Sequence, residues 1–117
     1  MENEKIRIGH GYDVHQLVEN IPLVICGVTI NSQFGSLGHS DGDVGLHAIC
    51  DAILGALALG DLGTHFPSSD TRWLNKESSV FLAHVLKLMY NKGYNIHNID
   101  CTIILQSPKL NKYINSM

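Results

Sequence analysis

The chain has 117 residues, 44% of them hydrophobic and 16% charged, and a formal net charge of −3 at pH 7. This length predicts one domain with one hydrophobic core, and the small charged fraction favours some apolar surface being covered by other subunits. The sequence has no Lys/Arg run, so nucleic-acid binding is not expected, and no apolar stretch approaches the ~20 residues of a membrane-spanning helix.

The cysteines and the N-terminal residues indicate the compartment. Cys26, Cys50 and Cys101 are odd in number and lie among Ile, Val and Ala, which predicts reduced, buried thiols. The first residues contain no basic region followed by an apolar stretch, so no secretory signal is expected. We therefore expect a soluble, cytosolic protein.

The first part of the chain predicts two strands. Residues 5–11 alternate between polar and apolar side chains, with Ile6 and Ile8 on one face, and predict the first strand. This strand leads into Gly-Tyr-Asp-Val-His. Residues 21–30 predict a second strand, with a glycine bulge or a tight bend at Gly27. Residues 31–38 are expected to form a loop.

Two helices and a further strand are predicted next. Ser40 is the expected N-cap of a buried first helix, which stops at Gly60. The second helix is predicted over residues 76–91, with a core stripe of Phe81, Leu82, Val85, Leu86 and Met89. In residues 100–106 apolar and polar side chains alternate, which predicts a strand that ends before Pro108.

This order of elements predicts the fold class. Residues 1–117 are expected to form a single α+β, or mixed α/β, domain: a mixed sheet of about four strands with helices packed on one face. The sequence ends at Met117, soon after the last strand and without the helix that would cover the sheet. We interpret the chain as lacking its C-terminal part.

Asp13, His15 and His47 are the candidate metal ligands. Asp13 and His15 are two apart on an extended segment, so their side chains point to one side, although such a pair alone more often caps a turn. His47, on a buried helix, needs a hydrogen bond or a metal, and Asp43 or Asp51 could orient its imidazole. Two histidines and one carboxylate leave a tetrahedral position open, as in catalytic zinc sites.

Some neighbouring residues have two readings. His39, Asp41 and Asp43 stay open as further ligands; we favour capping roles for the aspartates and a cleft-edge position for His39, where it donates to a phosphate. Lys109, in the turn after the last strand, either balances a phosphate or belongs to an ordinary surface turn.

Several separated motifs occur in one order along the chain. They are RIGHGYDVH at residues 7–15, GHSDGD at 38–43 with His47, LGDLG at 59–63, Phe66-Pro67 with Asp70, and QSPK at 106–109. Together they resemble the 2-C-methyl-D-erythritol 2,4-cyclodiphosphate synthases of the non-mevalonate isoprenoid pathway. The resemblance extends over essentially the whole chain.

The resemblance implies roles for individual residues. Asp13, His15 and His47 would bind Zn²⁺, and His39 would be catalytic by stabilising the transition state. Substrate would be bound by Asp13, His15, His39 and Ser40, by Asp61, Gly63, Phe66 and Asp70 around the methylerythritol phosphate, and by Leu105, Pro108, Lys109, Leu110 and Asn111 around cytosine and diphosphate. The last group would come from a neighbouring subunit.

The implied activity is that of a phosphorus–oxygen lyase. The 2-phosphate of 4-diphosphocytidyl-2-C-methyl-D-erythritol 2-phosphate attacks the β-phosphorus, CMP leaves and a cyclic diphosphate forms, with a second ion, Mg²⁺ or Mn²⁺, on the diphosphate. The resemblance implies a homotrimer with active sites between subunits, located in the bacterial cytoplasm or, as the alternative, in a plastid-type organelle. Members of the family continue past the point matching Met117, through a threonine that supports the transition state and a glutamate that binds the second ion, so little or no turnover is expected if this is the whole polypeptide.

Two other functions stay open. One is another metal-dependent phosphoesterase or hydrolase that uses the same ligands with water as the nucleophile. The other is a non-catalytic trimeric metal-binding module. Release of CMP together with a cyclic diphosphate distinguishes the synthase from both.

Overall fold

The computed structural model describes residues 5–38 and 40–117. Within these residues the strands come first: β1 (Leu17–Glu19), β2 (Leu23–Ile25), β3 (Val28–Ile30) and β4 (Phe34–Ser36). The helical elements follow: α1 (Val44–Ala56), α2 (Leu62–His65), a 3-10 turn (Thr71–Trp73), α3 (Ser78–Asn91) and a 3-10 helix (Asn111–Ser116). None of the helices in this part of the chain is both long and apolar enough to cross a membrane.

The predicted α+β class is confirmed, but the strands form two antiparallel pairs instead of one mixed sheet. β2 pairs with β3, with Ile25 opposite Val28, so only two residues connect them. These residues, Cys26 and Gly27, have positive φ values of 50° and 78°, as in a type I′ turn. The region predicted as one bent strand over residues 21–30 is therefore a hairpin.

The other strand predictions need correction as well. β1 pairs with β4, so a strand occupies part of the expected loop over residues 31–38. Residues 5–11 and 100–106 form no regular secondary structure and make no strand ladder with the rest of the described chain. Alternation predicts extended backbone, whereas a ladder also needs a neighbouring strand to bond with.

The main core lies between α1 and α3. It is built from the side chains of Cys50, Ile53, Leu54, Leu57, Phe66, Phe81, Val85 and Met89. The predicted stripe on α3 is confirmed as core at Phe81, Val85 and Met89, whereas Leu82 and Leu86 are only half-buried. A second cluster lies on the hairpin around Leu23, Ile25 and Ile30, so the described residues form two small cores where one was expected.

The cysteines are free, and their burial differs from the prediction at one position. Cys50 is fully buried in the main core, and burial raises the pKa of its thiol to about 12. Cys101 is exposed, which corrects the expectation of a buried thiol there. Its segment joins no sheet, and although Ile103 and Leu105 pack against the β2–β3 hairpin, Cys101 itself is left exposed.

Helix α1 is capped by Asp43, not by Ser40 as predicted. Gly42 precedes the cap with a φ of 68°, a left-handed conformation that cannot belong to the helix. The Asp43 carboxylate is fully buried and accepts hydrogen bonds from the backbone N–H of Leu46 at 3.0 Å, Cys26 at 2.8 Å and Gly27 at 2.7 Å. These three donors replace lost water and join the helix to the β2–β3 turn.

A glycine lets the N-terminal segment, residues 5–16, lie directly on α1. A Cβ at Gly11 would overlap the backbone carbonyl of Ala48, so no side chain fits between segment and helix. This close approach brings Asp13 and His15 beside His47, which lies on the same helix as Ala48.

We expect Gly11→Ala to destabilise the protein, because the new methyl group forces the segment away from α1. Overpacking of this kind lowers the free energy of unfolding by about 1–3 kcal/mol, and urea denaturation measures the change. Gly55→Ala is the matched control: Gly55 is exposed on α1, with nothing but the helix's own backbone near the added Cβ. The control should stabilise by about 0.5–1 kcal/mol, and equal effects of the two substitutions would contradict the packing argument.

Candidate metal centre

Asp13, His15 and His47 converge on one point. Asp13 Oδ2 lies 2.7 Å from His15 Nε2 and 3.3 Å from His47 Nδ1, and the two imidazole nitrogens are 3.2 Å apart. The three side chains are 24%, 17% and 14% exposed, respectively. The structure therefore brings together the three residues that the sequence predicted as ligands.

The donor atoms fit a divalent metal ion. Asp13 Oδ2 is buried and makes no hydrogen bond of normal geometry, although it faces two imidazole nitrogens. A buried carboxylate oxygen without a partner is unfavourable, and a cation held between the three atoms would satisfy it. All three atoms lie within 4.8 Å of one another, which makes the cluster a candidate metal site.

The outer nitrogens of both histidines also have partners. His15 Nδ1 lies 2.9 Å from the backbone oxygen of Leu37, which only accepts hydrogen bonds. Nδ1 of His15 therefore carries the proton, and Nε2 is left with a free lone pair facing the cluster. His47 Nε2 lies 2.7 Å from the hydroxyl oxygen of Ser78, the first residue of α3.

Asp43 and Asp51 do not orient His47, contrary to one of the sequence interpretations. Asp43 caps α1, and the Asp51 carboxylate accepts a hydrogen bond from the backbone N–H of Leu62 at 2.8 Å. Burial raises the pKa of the Asp51 carboxyl above its ordinary value. The sequence analysis missed Ser78 as the partner, because no spacing rule links residues on two different helices.

Ser40 and His39 were predicted to lie at this centre. The Ser40 hydroxyl oxygen is 3.3 Å from His47 Nε2 and 3.3 Å from the Ser78 hydroxyl oxygen, so Ser40 borders the cluster. His39, the predicted catalytic residue, lies outside the residues that the structure describes.

The residues predicted to bind the methylerythritol phosphate lie at the N-cap of α2, within it and in the segment that follows it. Asp61 is the N-cap of this helix and accepts hydrogen bonds from the hydroxyl and the backbone N–H of Thr64, which lower the pKa of its carboxyl. Gly63 lies within α2. The Asp70 carboxylate caps the following 3-10 turn and pairs with the Arg72 guanidinium at 2.7 Å.

Phe66, from the same predicted group, lies mainly in the core. Its ring centroid is 4.6 Å from that of Phe81 and 4.7 Å from that of Trp73. The ring therefore packs the segment after α2 against α3.

The residues predicted to bind cytosine and diphosphate border two clefts. Pro108, Lys109 and Asn111 line a cleft of about 380 Å³, where Lys112 adds a second cation that the sequence analysis missed. A larger cleft of about 760 Å³, which reaches α1 and α3, is lined by all five predicted residues: Leu105, Pro108, Lys109, Leu110 and Asn111.

Comparison with protein families matches residues 6–117 to the YgbB family. The curated 2-C-methyl-D-erythritol 2,4-cyclodiphosphate synthase of Clostridium botulinum is 59% identical over 112 residues, which cover 96% of this chain and 72% of that relative. The synthase of Pseudoalteromonas atlantica is 53% identical over 112 residues, which cover 96% of this chain and 69% of that relative. Among solved structures, the CDP complex of IspF from Plasmodium falciparum has a TM-score of 0.77 at 41% identity, covering 94% of this chain and 67% of that one. The chain therefore belongs to the YgbB family, in which it groups with the cyclodiphosphate synthases that its motifs resemble.

Proposed function

We propose that the chain catalyses the formation of 2-C-methyl-D-erythritol 2,4-cyclodiphosphate, the reaction that gives its relatives their name. The observation that carries this proposal is the convergence of Asp13, His15 and His47, with donor atoms 2.7 to 3.3 Å apart. A cation held by such a cluster would offset the repulsion between anionic groups that must approach each other in the reaction.

The proposed substrate is 4-diphosphocytidyl-2-C-methyl-D-erythritol 2-phosphate. An oxygen of its 2-phosphate forms a bond to the β-phosphorus, the bond from that phosphorus to the bridging oxygen breaks, and CMP leaves with this oxygen. The nucleophile belongs to the substrate, so the protein needs no nucleophilic side chain. Its task is to position the phosphates and to offset their negative charge.

We assign zinc to the cluster. Zinc–oxygen and zinc–nitrogen bonds of about 2.0–2.1 Å place tetrahedral ligand atoms about 3.3–3.4 Å apart. The separations of 2.7, 3.2 and 3.3 Å approach this value. When bound, zinc supplies positive charge for the phosphate oxygens, and a second ion, Mg²⁺ or Mn²⁺, belongs to the diphosphate in this proposal.

We place the cytidine diphosphate part in the cleft beside Lys109 and Lys112. Two ammonium groups suit a diphosphate, and the side-chain amides of Asn31 and Asn111, which line the same cleft, provide donors and acceptors for a base. The solved CDP complex of the Plasmodium falciparum relative supports a nucleotide ligand of this kind.

We place the methylerythritol phosphate against the segment that holds Asp61, Gly63, Phe66 and Asp70. The bond from Leu62 N–H to the Asp51 carboxylate supports this position, because it ties the segment to α1, which also carries His47. His39 and Ser40 complete the proposed site on the basis of their motif.

We further propose a homotrimer with the sites between subunits. Ile6, Ile8 and Ile104 support this arrangement, because they are 93%, 90% and 93% exposed, an unfavourable environment for large apolar side chains. Contact with neighbouring subunits in a closed ring would bury them.

Replacing His47 tests the metal site. We expect His47→Ala to lower zinc affinity by more than about 100-fold. Even the loss of a residue that only supports a metal ligand typically lowers metal affinity about 10–100-fold. Zinc content per chain after dialysis, measured by plasma mass spectrometry, is the readout. His97→Ala, which changes an exposed histidine outside the cluster, should retain the parental content. Equal zinc in His47→Ala and the parent would remove His47 from the site.

The products test the reaction. Zinc-loaded protein with Mg²⁺ and the proposed substrate, in water labelled with heavy oxygen, should yield equal amounts of CMP and cyclic diphosphate, both unlabelled. The reason is that the attacking oxygen already belongs to the substrate. A phosphoesterase would use water and incorporate label into an acyclic product, which mass spectrometry detects. Labelled, acyclic products would reject cyclisation.

Subunit mixing tests the shared site. His47→Ala should abolish activity through loss of metal, and Lys109→Glu through repulsion of the diphosphate. When the two variants are co-expressed, they assemble into mixed trimers. About one site in four then combines intact metal ligands from one subunit with an intact cleft from its neighbour, so about a quarter of parental CMP release should return. The control is Lys87→Glu, a charge reversal at an exposed position of α3, which should be active without co-expression of a second variant. Failure to recover activity would place both parts of the site within one subunit.

A further inference from the structure

We propose that Ser78 and Asp41 position His47 for metal binding, by fixing which of its two ring nitrogens carries the proton. This inference rests on the metal site proposed above and extends it to two residues outside the ligand set. Neither residue approaches the metal position directly; both act through the imidazole of His47.

The two nitrogens of His47 face different surroundings. Nδ1 faces the cluster, 3.3 Å from Asp13 Oδ2 and 3.2 Å from His15 Nε2. Nε2 faces away from it, 2.7 Å from the hydroxyl oxygen of Ser78. A neutral imidazole binds a metal only through its unprotonated nitrogen, so the proton has to be on Nε2.

A serine hydroxyl alone cannot enforce this choice, because it can either donate to Nε2 or accept from it. Asp41 resolves the ambiguity. Its Oδ1 accepts the hydrogen bond from the Ser78 hydroxyl, and its Oδ2 accepts from the backbone N–H of Ser78 at 3.1 Å. The single proton of the hydroxyl is therefore directed to Asp41, and its oxygen is left to accept from Nε2–H of His47.

The surroundings of Ser78 hold this chain of hydrogen bonds in place. Ser78 is fully buried at the first residue of α3, and the preceding Glu77 provides no side-chain cap. Asp41 takes over that function through its bond to the Ser78 N–H, which fixes the carboxylate beside the hydroxyl. The Ser40 hydroxyl, 3.3 Å from both Ser78 Oγ and His47 Nε2, is too distant for a strong O–H···O bond to Ser78.

The consequence is a preorganised ligand. With the proton held on Nε2, the lone pair of Nδ1 points at Asp13 and His15 before the metal arrives. Without the chain, the ring is free to rotate or to carry its proton on Nδ1, and each of these states has to be reversed before the metal binds.

Zinc titration of purified variants tests the inference without any activity measurement. We expect Ser78→Ala to weaken zinc binding by about 10–100-fold, the usual range for a residue that orients a metal-binding histidine. Asp41→Ala should weaken it similarly, and the double variant no further than the larger single effect, because the two residues act as one unit. Ser79→Ala, the neighbouring exposed serine on α3, is the matched control and should bind as the parent does.

A spectroscopic readout separates positioning from a general loss of stability. Long-range proton–nitrogen NMR spectra of the metal-free parent should show His47 protonated at Nε2, and those of Ser78→Ala a population protonated at Nδ1. Ser78→Thr, which keeps the hydroxyl, should restore the parental pattern. If Ser78→Ala does not fold, Asp41→Ala serves for the same two measurements.

The outcomes distinguish this inference from the function on which it rests. A parent that binds no zinc would reject the proposed metal site itself. A parent that binds zinc, together with a Ser78→Ala or Asp41→Ala variant of equal affinity and unchanged His47 protonation, would overturn only the positioning role.

Discussion

The candidate site depends on the direct contact between the N-terminal segment and helix α1. At Gly9 and Gly11 any Cβ would overlap a carbonyl oxygen of the helix, so the segment reaches this position only with glycine at both places. Asp13 and His15 follow on the segment, and His47 is supplied by the helix. Backbone packing therefore brings the three ligand residues together, and the hydrogen bonds of the two imidazoles then orient their rings.

Helix α1 organises the surroundings through one polar face. Asp43, His47 and Asp51 are four residues apart, so they share a side of the helix, yet each bonds to a different part of the fold. Asp43 holds the β2–β3 turn, His47 contacts the start of α3 through Ser78, and Asp51 holds the start of α2 through Leu62 N–H. The polar groups along this side of the helix and at its N-cap thus fix the elements that surround the proposed phosphate sites.

The sequence predicted the parts of this arrangement that depend on local spacing. Two helices, the stripe on α3 and the ligand set Asp13, His15 and His47 follow from i+2 and i+4 rules and from the motifs. The hairpin was missed because Cys26 adopts a positive φ, which is uncommon for residues other than glycine. The partner of His47 was missed because Ser78 is close only once α1 and α3 have packed, and that packing leaves no signal in residue spacing.

The two histidines of the cluster are held in different ways, and this difference links metal binding to the core. His15 donates to a backbone carbonyl, an acceptor that needs no further direction. His47 relies on a hydroxyl at the start of α3, so its geometry lasts only while α3 stays docked on α1. That docking is provided by the apolar side chains between the helices, among them Phe81 and Val85. Because a metal that binds only the docked state stabilises it in return, occupation of the site and packing of the two helices are thermodynamically coupled.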